Sequence, residues 1–255
     1  MTYSLPYVEA AVSMHARGDT VLQIAKALGI SRASVRGWIA NPSERRERLA
    51  HSASHASSEC SLISALPEAE YAYLLGQYLG DGCISAMGPR GVFRLRIATC
   101  DDYPVIRQQT VDAEKAVMPQ NKVGVAPSIG CAEVNSYSKH WPCLFPQHGP
   151  GRKHERDIVL EDWQQDIVES YPREFLTGLV HSDGCRAVNK IKKKNGKVYE
   201  YPRYFFSNVS DDIIGIFTNT CDQLGVDWKQ NRWNSISVAR SEDVAYLDTF
   251  IGPKT

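Results

Sequence analysis

The chain has 255 residues, 43% of them hydrophobic, which is enough to bury one large core or two modest ones. Its 29 basic residues balance its 29 acidic residues, so binding to DNA requires an uneven placement of charge. No apolar run reaches the roughly 18 residues of a membrane span, so we expect no membrane partner. The seven cysteines include no C-x-x-C pair and follow no secretory signal. We therefore expect reduced thiols in a cytoplasmic protein, nucleoid-associated if the source is bacterial.

The N-terminal residues have the pattern of a small helical module. Residues 21–39 place Ala25, Gly29 and Val35 at the spacing of a helix-turn-helix, which this stretch resembles. A helix over residues 6–17 completes the predicted bundle. The residues expected in its core are Ile24, Leu28, Ile30, Val35 and Trp38.

The second helix of this motif is the expected DNA-reading element. Ser31 is a good N-cap for it. The helix then presents Arg32, Ser34 and Arg36 outward, the usual geometry for reading a groove. Helix-turn-helix folds also serve as protein-interaction modules, so that use stays open. We predict a DNA-binding domain over residues 1–42, followed by a Ser- and Ala-rich linker over residues 43–65.

Two later segments, residues 74–82 and 176–184, read as copies of one another. Both are apolar helical runs with small residues four apart, and both end in Asp-Gly followed by Cys. The small pairs are Gly76 with Gly80 and Gly178 with Ser182. Such spacing lets two helix backbones approach closely. The approach would bring Asp81 and Asp183 together.

A pair of carboxylates at this place favours a bound cation. The last turn of a helix carries partial negative charge, which disfavours Asp there, and two neighbouring carboxylates also repel each other. A divalent cation removes both penalties, and oxygen ligands suit Mg²⁺ or Ca²⁺. The alternative is a simple Asp-Gly turn into a hairpin. The duplication with matched flanks favours the metal interpretation.

The repeat continues beyond the two segments. Each is followed by a strand-like run, an Asp-Asp pair opening a helix, two more strands, an apolar stretch and a Gly-Pro preceding a Lys. The Asp residues are expected to cap the helix N-termini. In the first copy these elements are residues 93–97, 101–117, 122–125, 133–137, 141–145 and 149–153. In the second they are residues 204–206, 211–224, 228–233, 235–239, 244–251 and 252–254.

Both segments resemble the LAGLIDADG motif of homing endonucleases. Each matches at the first Leu, at the third-position Gly and at the terminal Asp-Gly. Asp81 and Asp183 fall on the family's metal-binding acid, whereas Leu79 and His181 replace the acid at its sixth position. The resemblance covers residues 66–255. It implies an α+β fold, in which an all-α helix-turn-helix domain precedes a pseudo-twofold domain of two αββαββα halves, about 66–154 and 170–255.

The resemblance also implies a site-specific endonuclease that makes double-strand cuts. The motif helices would pack at the centre, and two four-stranded sheets would form a saddle over double-stranded DNA. Cleavage would use Mg²⁺ or Mn²⁺ at Asp81, Asp183, Gly82 and Gly184. By repeat position, the basic residues that stabilise developing charge would be Lys153 and Lys254. A chain that carries both copies is expected to act as a monomer.

A catalytically inactive transcription regulator is the alternative function. Some bacterial regulators combine this fold with a helix-turn-helix and no longer cut DNA. The N-terminal module favours this reading, whereas the presence of both acids favours cleavage. Assistance to RNA splicing is also compatible with the fold.

Basic residues are concentrated in the second half of the repeat. Residues 186–204 contain one acid, Glu200, and seven basic residues, which are Arg186, Lys190, Lys192, Lys193, Lys194, Lys197 and Arg203. Asn195-Gly196 is a strong hairpin signal. A basic two-stranded ribbon fits the major groove, although exposed lysines also mark a solvated strand edge.

Strand alternation predicts which of these side chains share a face. Arg186, Lys190, Lys192 and Lys194 have one parity, so they lie on one face of the strand. The residues expected beside them on the return strand are Tyr199, Tyr201 and Arg203. In the first half a shorter counterpart contains Arg90, Arg94 and Arg96.

Four further residues invite a zinc interpretation. They are His140, Cys143, His148 and His154. Their spacing fits no standard zinc finger, so the sequence does not predict a zinc site there.

Overall fold

A computed structural model describes residues 5–30, 32–40, 42–43, 60, 62–88, 91–192 and 196–255. The architecture is α+β and has the two predicted parts, a three-helix bundle and a duplicated domain with two four-stranded antiparallel sheets. The predicted fold class is therefore confirmed. Among the described residues, no helix is long and apolar enough to cross a membrane.

The N-terminal bundle consists of α1 (Leu5–Ala16), α2 (Val21–Leu28) and α3 (Arg32–Ala40). Thr20 and Gln23 form a capping box at the start of α2. Gly29 ends it in the left-handed conformation at φ +65°, which favours glycine. The predicted core is buried at Ile24, Ile30, Val35 and Trp38 and half-buried at Leu28. Ser31, the predicted N-cap of α3, lies outside the described residues.

Each half of the duplicated domain has the predicted αββαββα order. The first half comprises α4 (Glu68–Asp81), β1 (Gly82–Ala86), β2 (Phe93–Cys100), α5 (Pro104–Val117), β3 (Gly124–Ser128), β4 (Cys131–Ser138) and α6 (Trp141–Leu144). The second comprises α8 (Pro172–Asp183), β5 (Gly184–Lys192), β6 (Val198–Ser207), α9 (Asp211–Gln223), β7 (Lys229–Arg232), β8 (Ser235–Val238) and α10 (Ser241–Asp248). A helix that the sequence did not predict, α7 (Asp162–Ser170), joins the halves.

Both sheets have the same topology. The strand orders are β1-β2-β4-β3 and β5-β6-β8-β7, and every pair is antiparallel. One face of each sheet packs on the helices, through Leu95 and Ile97 in the first half and Tyr204 and Phe206 in the second. The opposite faces carry the polar side chains of the alternate positions, as period-two alternation requires.

The motif helices α4 and α8 cross in direct contact at their small residues. A Cβ on Gly76 would lie 2.5 Å from the carbonyl oxygen of Phe175, and one on Gly178 would collide with the carbonyl oxygen of Tyr73. Only glycine allows these backbones to come so close. The close approach predicted from small-residue spacing is therefore present. It brings the C-terminal ends of both helices to one place.

One predicted cap is wrong. Asp101 and Asp102 do not open α5, which begins at Pro104 after Tyr103. Asp101 is instead paired with Arg107 at 2.5 Å. Pro104 explains the difference, because proline favours the first turn of a helix and disfavours helical conformation in the residue before it. In the second half α9 does begin at Asp211, and the hydroxyl of Ser210 caps it.

The predicted domain boundaries at residues 42 and 65 stay predictions. The predicted linker, residues 43–65, is described at residues 43, 60 and 62–65. Its last part is ordered, since Ile63–Ala65 form a 3₁₀ turn. Leu62, Ile63 and Leu66 pack against the core of the duplicated domain.

Candidate active site and nucleic-acid interface

The acids of the two motifs lie at the adjoining ends of the crossing helices. Asp81 is the last residue of α4 and Asp183 the last of α8. A Cβ on Gly80 would lie 3.0 Å from Asp183 Oδ2, so the second carboxylate reaches the first helix. Asp81 is exposed and Asp183 half-buried. Both carboxylates therefore remain open to an incoming group.

The two lysines nominated by repeat position lie at the same place. Lys153 Nζ donates hydrogen bonds to the carbonyl oxygens of Leu79 at 3.0 Å and Gly80 at 3.1 Å, and also to that of Tyr78. Lys254 Nζ donates to the carbonyl oxygen of Ser182 at 3.0 Å. Each lysine thus satisfies the free carbonyls at the end of one motif helix and offsets their partial negative charge.

The electrostatics of the four groups are coupled. Partial burial and the neighbouring Asp183 raise the pKa of Asp81 to about 6, while Lys254 and Lys153 oppose the rise. Burial also raises the pKa of Asp183, against the hydrogen bond from Asn208 and the two lysines. Burial lowers the pKa of Lys153 to about 8 and also lowers that of Lys254. Two negative and two positive groups therefore share one site, in which a carboxylate is costly unless a cation binds it.

Asn208 is a site residue that the sequence reasoning missed. Its side-chain amide donates a 2.6 Å hydrogen bond to Asp183 Oδ2, and its own amide oxygen accepts from the Ser210 N–H at 2.8 Å. It lies in the short loop between β6 and α9. A depression of about 310 Å³ opens there, lined by Leu79, Gly80, Lys153, His154, Asp183, Ser207, Asn208, Val209, Ile213 and Asn234. No spacing pattern links Asn208 to Asp183, because the contact arises only when the strand returns beside the helix.

The glycines after the two acids have a packing role. A Cβ on Gly82 would lie 2.5 Å from the Cα of Tyr78, and one on Gly184 would lie 2.8 Å from the Cα of Val180. Both glycines are buried and cap their helix through their own N–H. Glycine is thus required for the sharp passage from helix to strand, independently of any metal that the backbone of Gly82 or Gly184 binds.

His181 stands where the family consensus has its sixth-position acid, and it is buried. Its Nδ1 lies 3.1 Å from the hydroxyl of Tyr73, which accepts a 2.8 Å hydrogen bond from Gln77. Burial and the charge of Lys254 lower the pKa of His181 to about 4. The imidazole is therefore neutral near pH 7 and belongs to the packing between α4 and α8.

On the first sheet, Arg94 and Arg96 lie on the face turned away from the helices. They share Glu133, at 3.1 Å and 3.3 Å, and so leave one net positive charge there. The register places Glu133 opposite Ala98, which lies on the same face of the sheet as Arg94 and Arg96. Arg90 lies outside the described residues.

The hairpin of the second half is present, but its register differs from the predicted one. A two-residue turn at Asn195-Gly196 would pair Lys192 with Tyr199. The structure pairs Lys192 with Val198 and Ile191 with Tyr199. A shift of one residue moves the return-strand side chains expected beside the lysines to the opposite face. Lys194 lies outside the described residues.

The corrected register separates lysines from aromatics. Tyr199 and Tyr201 stack with ring centroids 6.4 Å apart on the open face of the sheet, where Arg203 also lies. Lys190 is on the other face, paired with Glu200 at 2.7 Å. Lys192 shares that face, and Lys192 and Lys197 are exposed.

Arg186 does not form part of an exposed basic face. Its guanidinium makes two hydrogen bonds to Asp248 at 2.7 Å and 2.8 Å. Tyr204, opposite it in the register, donates to the same carboxylate at 2.6 Å. These bonds hold α10 against the sheet and hold the pKa of Asp248 below its usual value. The structure thus gives Arg186 a packing role, and its contact with DNA stays a prediction.

The helix-turn-helix bundle contacts the second half through α3. The Arg32 guanidinium lies 5.2 Å from the centre of the Trp228 ring, and Arg36 donates a hydrogen bond to Gln230 Oε1. Ser34 faces Gly215 of α9, where a Cβ would lie 3.7 Å from the serine hydroxyl. The face of α3 that was expected to point outward is therefore turned towards α9 and β7. Arg32 and Arg36 nevertheless remain exposed, and their contact with DNA stays a prediction.

Comparison with known families supports the N-terminal part of the fold. Residues 10–50 match the family described as a homeodomain-like domain. An uncharacterized protein of Methanocaldococcus jannaschii is 22% identical over 179 residues, a match that covers 68% of this chain and 56% of that protein. The chain thus spans little more than half the length of that relative.

Two of the solved structures that overlap with this chain are DNA complexes of homing endonucleases. The structure of I-DmoI in complex with DNA and Mn is 16% identical, covers 72% of this chain and 97% of its own, and has a TM-score of 0.48. The LAGLIDADG meganuclease I-AabMI bound to uncleaved DNA is 12% identical, covers 71% of this chain and 82% of its own, and has a TM-score of 0.44. Overlaps this low carry no argument, and the fold is defined by the strand order and the helix crossing.

Proposed function

We propose that this protein is a site-specific DNA endonuclease that makes metal-dependent double-strand cuts. The observation that carries the proposal is the convergence of Asp81, Asp183, Lys153 and Lys254 at the crossing of α4 and α8. Each half supplies one carboxylate and one lysine, which gives one such pair for each of the two DNA strands to be cut. Both halves belong to one chain, so the active form is a monomer.

The donor chemistry at the helix ends fits a divalent cation. Burial raises the pKa of both carboxylates, and repulsion from Asp183 adds to the rise at Asp81. Both carboxylates would gain from binding a divalent cation, and hard oxygen donors suit Mg²⁺ or Mn²⁺. We assign the cation to Asp81 and Asp183 with the backbone of Gly82 and Gly184. Such an ion, when bound, activates water and stabilises charge on phosphate oxygens.

The protein's own residues position and balance charge at this site. Asn208 orients Asp183 through a 2.6 Å hydrogen bond. Lys153, whose pKa of about 8 leaves it mostly protonated at pH 7, keeps a positive charge beside both acids. Lys254 does the same from the other half. Because both lysines are anchored on carbonyls, they offer charge to a phosphate without a large rearrangement.

The DNA-binding surface in this proposal is the pair of open sheet faces beyond the helix ends. Arg94 and Arg96 contribute in the first half and Arg203 in the second. Lys190 and Lys192, on the opposite face of the extended hairpin, and the exposed Lys197 add further positive charge. Phosphate contacts give affinity and base contacts give specificity. A chain without net charge must place its basic groups on such a face to bind DNA at all.

Cleavage after selection on DNA tests the proposal. Purified protein selects sites from a random duplex library, and the selected sites are then incubated with Mg²⁺ or Mn²⁺. We expect defined double-strand cuts, with Asp81→Asn and Asp183→Asn each losing double-strand cleavage by several orders of magnitude. Their affinity for the site should change by less than about tenfold, because carboxylates do not hold phosphate. Asp112→Asn, an exposed acid on α5, is the matched control.

A transcription regulator is the second candidate function, and the helix-turn-helix bundle favours it. Specific binding to the selected sites without any cut in either metal would support that function. The same result would overturn the endonuclease proposal.

A further inference from the structure

Two cysteines and a histidine from distant parts of the chain converge outside the proposed active site. The Sγ atoms of Cys60 and Cys143 and a ring nitrogen of His140 all lie within 4.8 Å of one another. Cys60 Sγ lies 3.4 Å from His140 Nδ1. Cys60 precedes α4 by several residues, whereas His140 and Cys143 lie at the turn from β4 into α6.

These separations suit a small soft-ligand metal site. Zinc takes thiolate sulfur at about 2.3 Å and imidazole nitrogen at about 2.0–2.1 Å with tetrahedral angles, so neighbouring ligand atoms lie roughly 3.5–3.8 Å apart. We propose that Cys60, His140 and Cys143 bind one zinc ion, with the fourth position open to water or another ligand. Thiolates and imidazole favour zinc over the hard cations that the carboxylates at the helix crossing suit.

The backbone around two of the ligands is firmly anchored. Trp141, between His140 and Cys143, is fully buried, and its indole N–H donates to the carbonyl of Ser136 at 3.3 Å. The N–H of His140 donates to the hydroxyl of Ser138 at 3.0 Å. A preorganised pair of ligands lowers the entropic cost of binding the metal.

The third ligand belongs to the segment that enters the duplicated domain. The carbonyl of Cys60 accepts from the Ile63 N–H at 2.9 Å, and the 3₁₀ turn Ile63–Ala65 follows. A metal at this point would join that segment to the corner between β4 and α6. The ion would therefore act as a structural clamp at the entry to the first half.

The structure also changes which residues the zinc interpretation involves. Of the four residues weighed from sequence, only His140 and Cys143 belong to the cluster. His148 packs edge-on against Phe93 at 5.7 Å, and His154 lies 4.0 Å from Glu155. Cys60 supplies the ligand that spacing alone did not reveal, since eighty residues of chain separate it from His140.

The full chain, expressed with zinc and purified under reducing conditions without chelator, tests the proposal. Inductively coupled plasma mass spectrometry should find about one zinc per chain in the presence of excess Mg²⁺, which occupies carboxylate sites. Replacement by Co²⁺ should give the near-ultraviolet band of thiolate-to-metal charge transfer. Carboxylates produce no such band, so the result does not depend on the proposed endonuclease function.

Variants and thermal melting complete the test. Cys60→Ser and Cys143→Ser should each weaken zinc binding at least tenfold, whereas Cys131→Ser, a half-buried thiol on β4 outside the cluster, should not. Zinc at a hundredfold excess over its dissociation constant should raise the melting temperature of the parent chain by roughly 5–10 °C. Absence of both zinc and the charge-transfer band in the parent chain would overturn the proposal. Titration of free thiols that reveals a Cys60–Cys143 disulfide would overturn it as well.

Discussion

The two halves of the duplicated domain share a backbone but surround their acids differently. Asp183 is half-buried and fixed by the amide of Asn208, whereas Asp81 is exposed and has no such amide among its described partners. Lys153 bonds three carbonyls of α4, and Lys254 bonds one carbonyl of α8. The duplication thus decides where the acids lie, and residues outside the motif decide how firmly each is held.

The attachments of the halves differ as well. The first half carries the cluster of Cys60, His140 and Cys143, and the second half carries the long hairpin and the docked α3. The same fold therefore carries different additional features in its two halves. If the protein cuts DNA, we expect the two strands to be cut at unequal rates, and the following changes test that asymmetry.

The largest effect is expected from the lysines. Lys153→Met should lower the rate of cleavage by about 10²–10³-fold, because it removes a preorganised charge held beside both acids. Lys254→Met should cost less, since that lysine makes fewer bonds and is less buried. Strand-specific nicking of an end-labelled duplex measures both rates, with the exposed Lys139→Met as control. Equal losses in the two variants would show that the halves are functionally equivalent.

Asn208 should act as a positioning residue for one half only. Asn208→Ala should raise the Mg²⁺ concentration needed for half-maximal cleavage by about 10–100-fold, because loss of a partner behind a metal ligand usually lowers metal affinity by that factor. High Mg²⁺ should restore most of the rate. Asn234→Ala is the matched control, because Asn234 lines the same depression and meets Asn208 only through its backbone carbonyl. A loss that Mg²⁺ does not reverse would contradict a positioning role.

The raised pKa of Asp81 predicts a pH dependence with a definite sign. Protonation competes with metal binding, so cleavage should fall about tenfold per pH unit below pH 6. In metal-free protein the folded pKa of about 6 exceeds the ordinary value of 3.8, so the folded state binds the proton more tightly between these values. The carboxylate therefore lowers stability as pH rises through this window.

Asp81→Asn should accordingly raise the melting temperature at pH 7, and this gain should disappear near pH 3.5. Scanning calorimetry in the presence of chelator, with Asp112→Asn as control, measures it. The same gain at both pH values would mean that the substitution acts through packing and not through charge.

The smallest effect concerns the contact between α3 and α9. Gly215→Gln should push the two helices apart and release Arg32 and Arg36. Their present contacts are only as strong as an exposed cation–π pair and a single hydrogen bond. If α3 reads DNA once released, affinity for the selected site should rise by about two- to fivefold. Gly215→Ala is the control, since its Cβ would meet the Ser34 hydroxyl at an ordinary 3.7 Å. Weaker binding by Gly215→Gln would show instead that the docked arrangement is the one that binds DNA.

Local pattern alone determined much of the fold. Small residues at Gly76 and Gly178 predicted the helix crossing, the terminal Asp-Gly pairs predicted where the acids meet, and Gly29 predicted the turn before α3. These features depend on backbone conformations or spacings that only a few residue types allow within one or two turns of helix. The equivalent positions of Lys153 and Lys254 also followed from the repeat.

The tertiary structure decided whatever depends on contacts between distant segments. The hairpin register is not the one that a two-residue turn at Asn195-Gly196 would give, so Lys190 and Lys192 lie on the face opposite Tyr199 and Tyr201. Asn208 meets Asp183, and Arg186 meets Asp248, only after the strands and helices have packed. The docking of Arg32 on Trp228 depends on how two separate cores lie against each other. No periodicity along the chain encodes such contacts, because each depends on the three-dimensional positions of residues far apart in sequence.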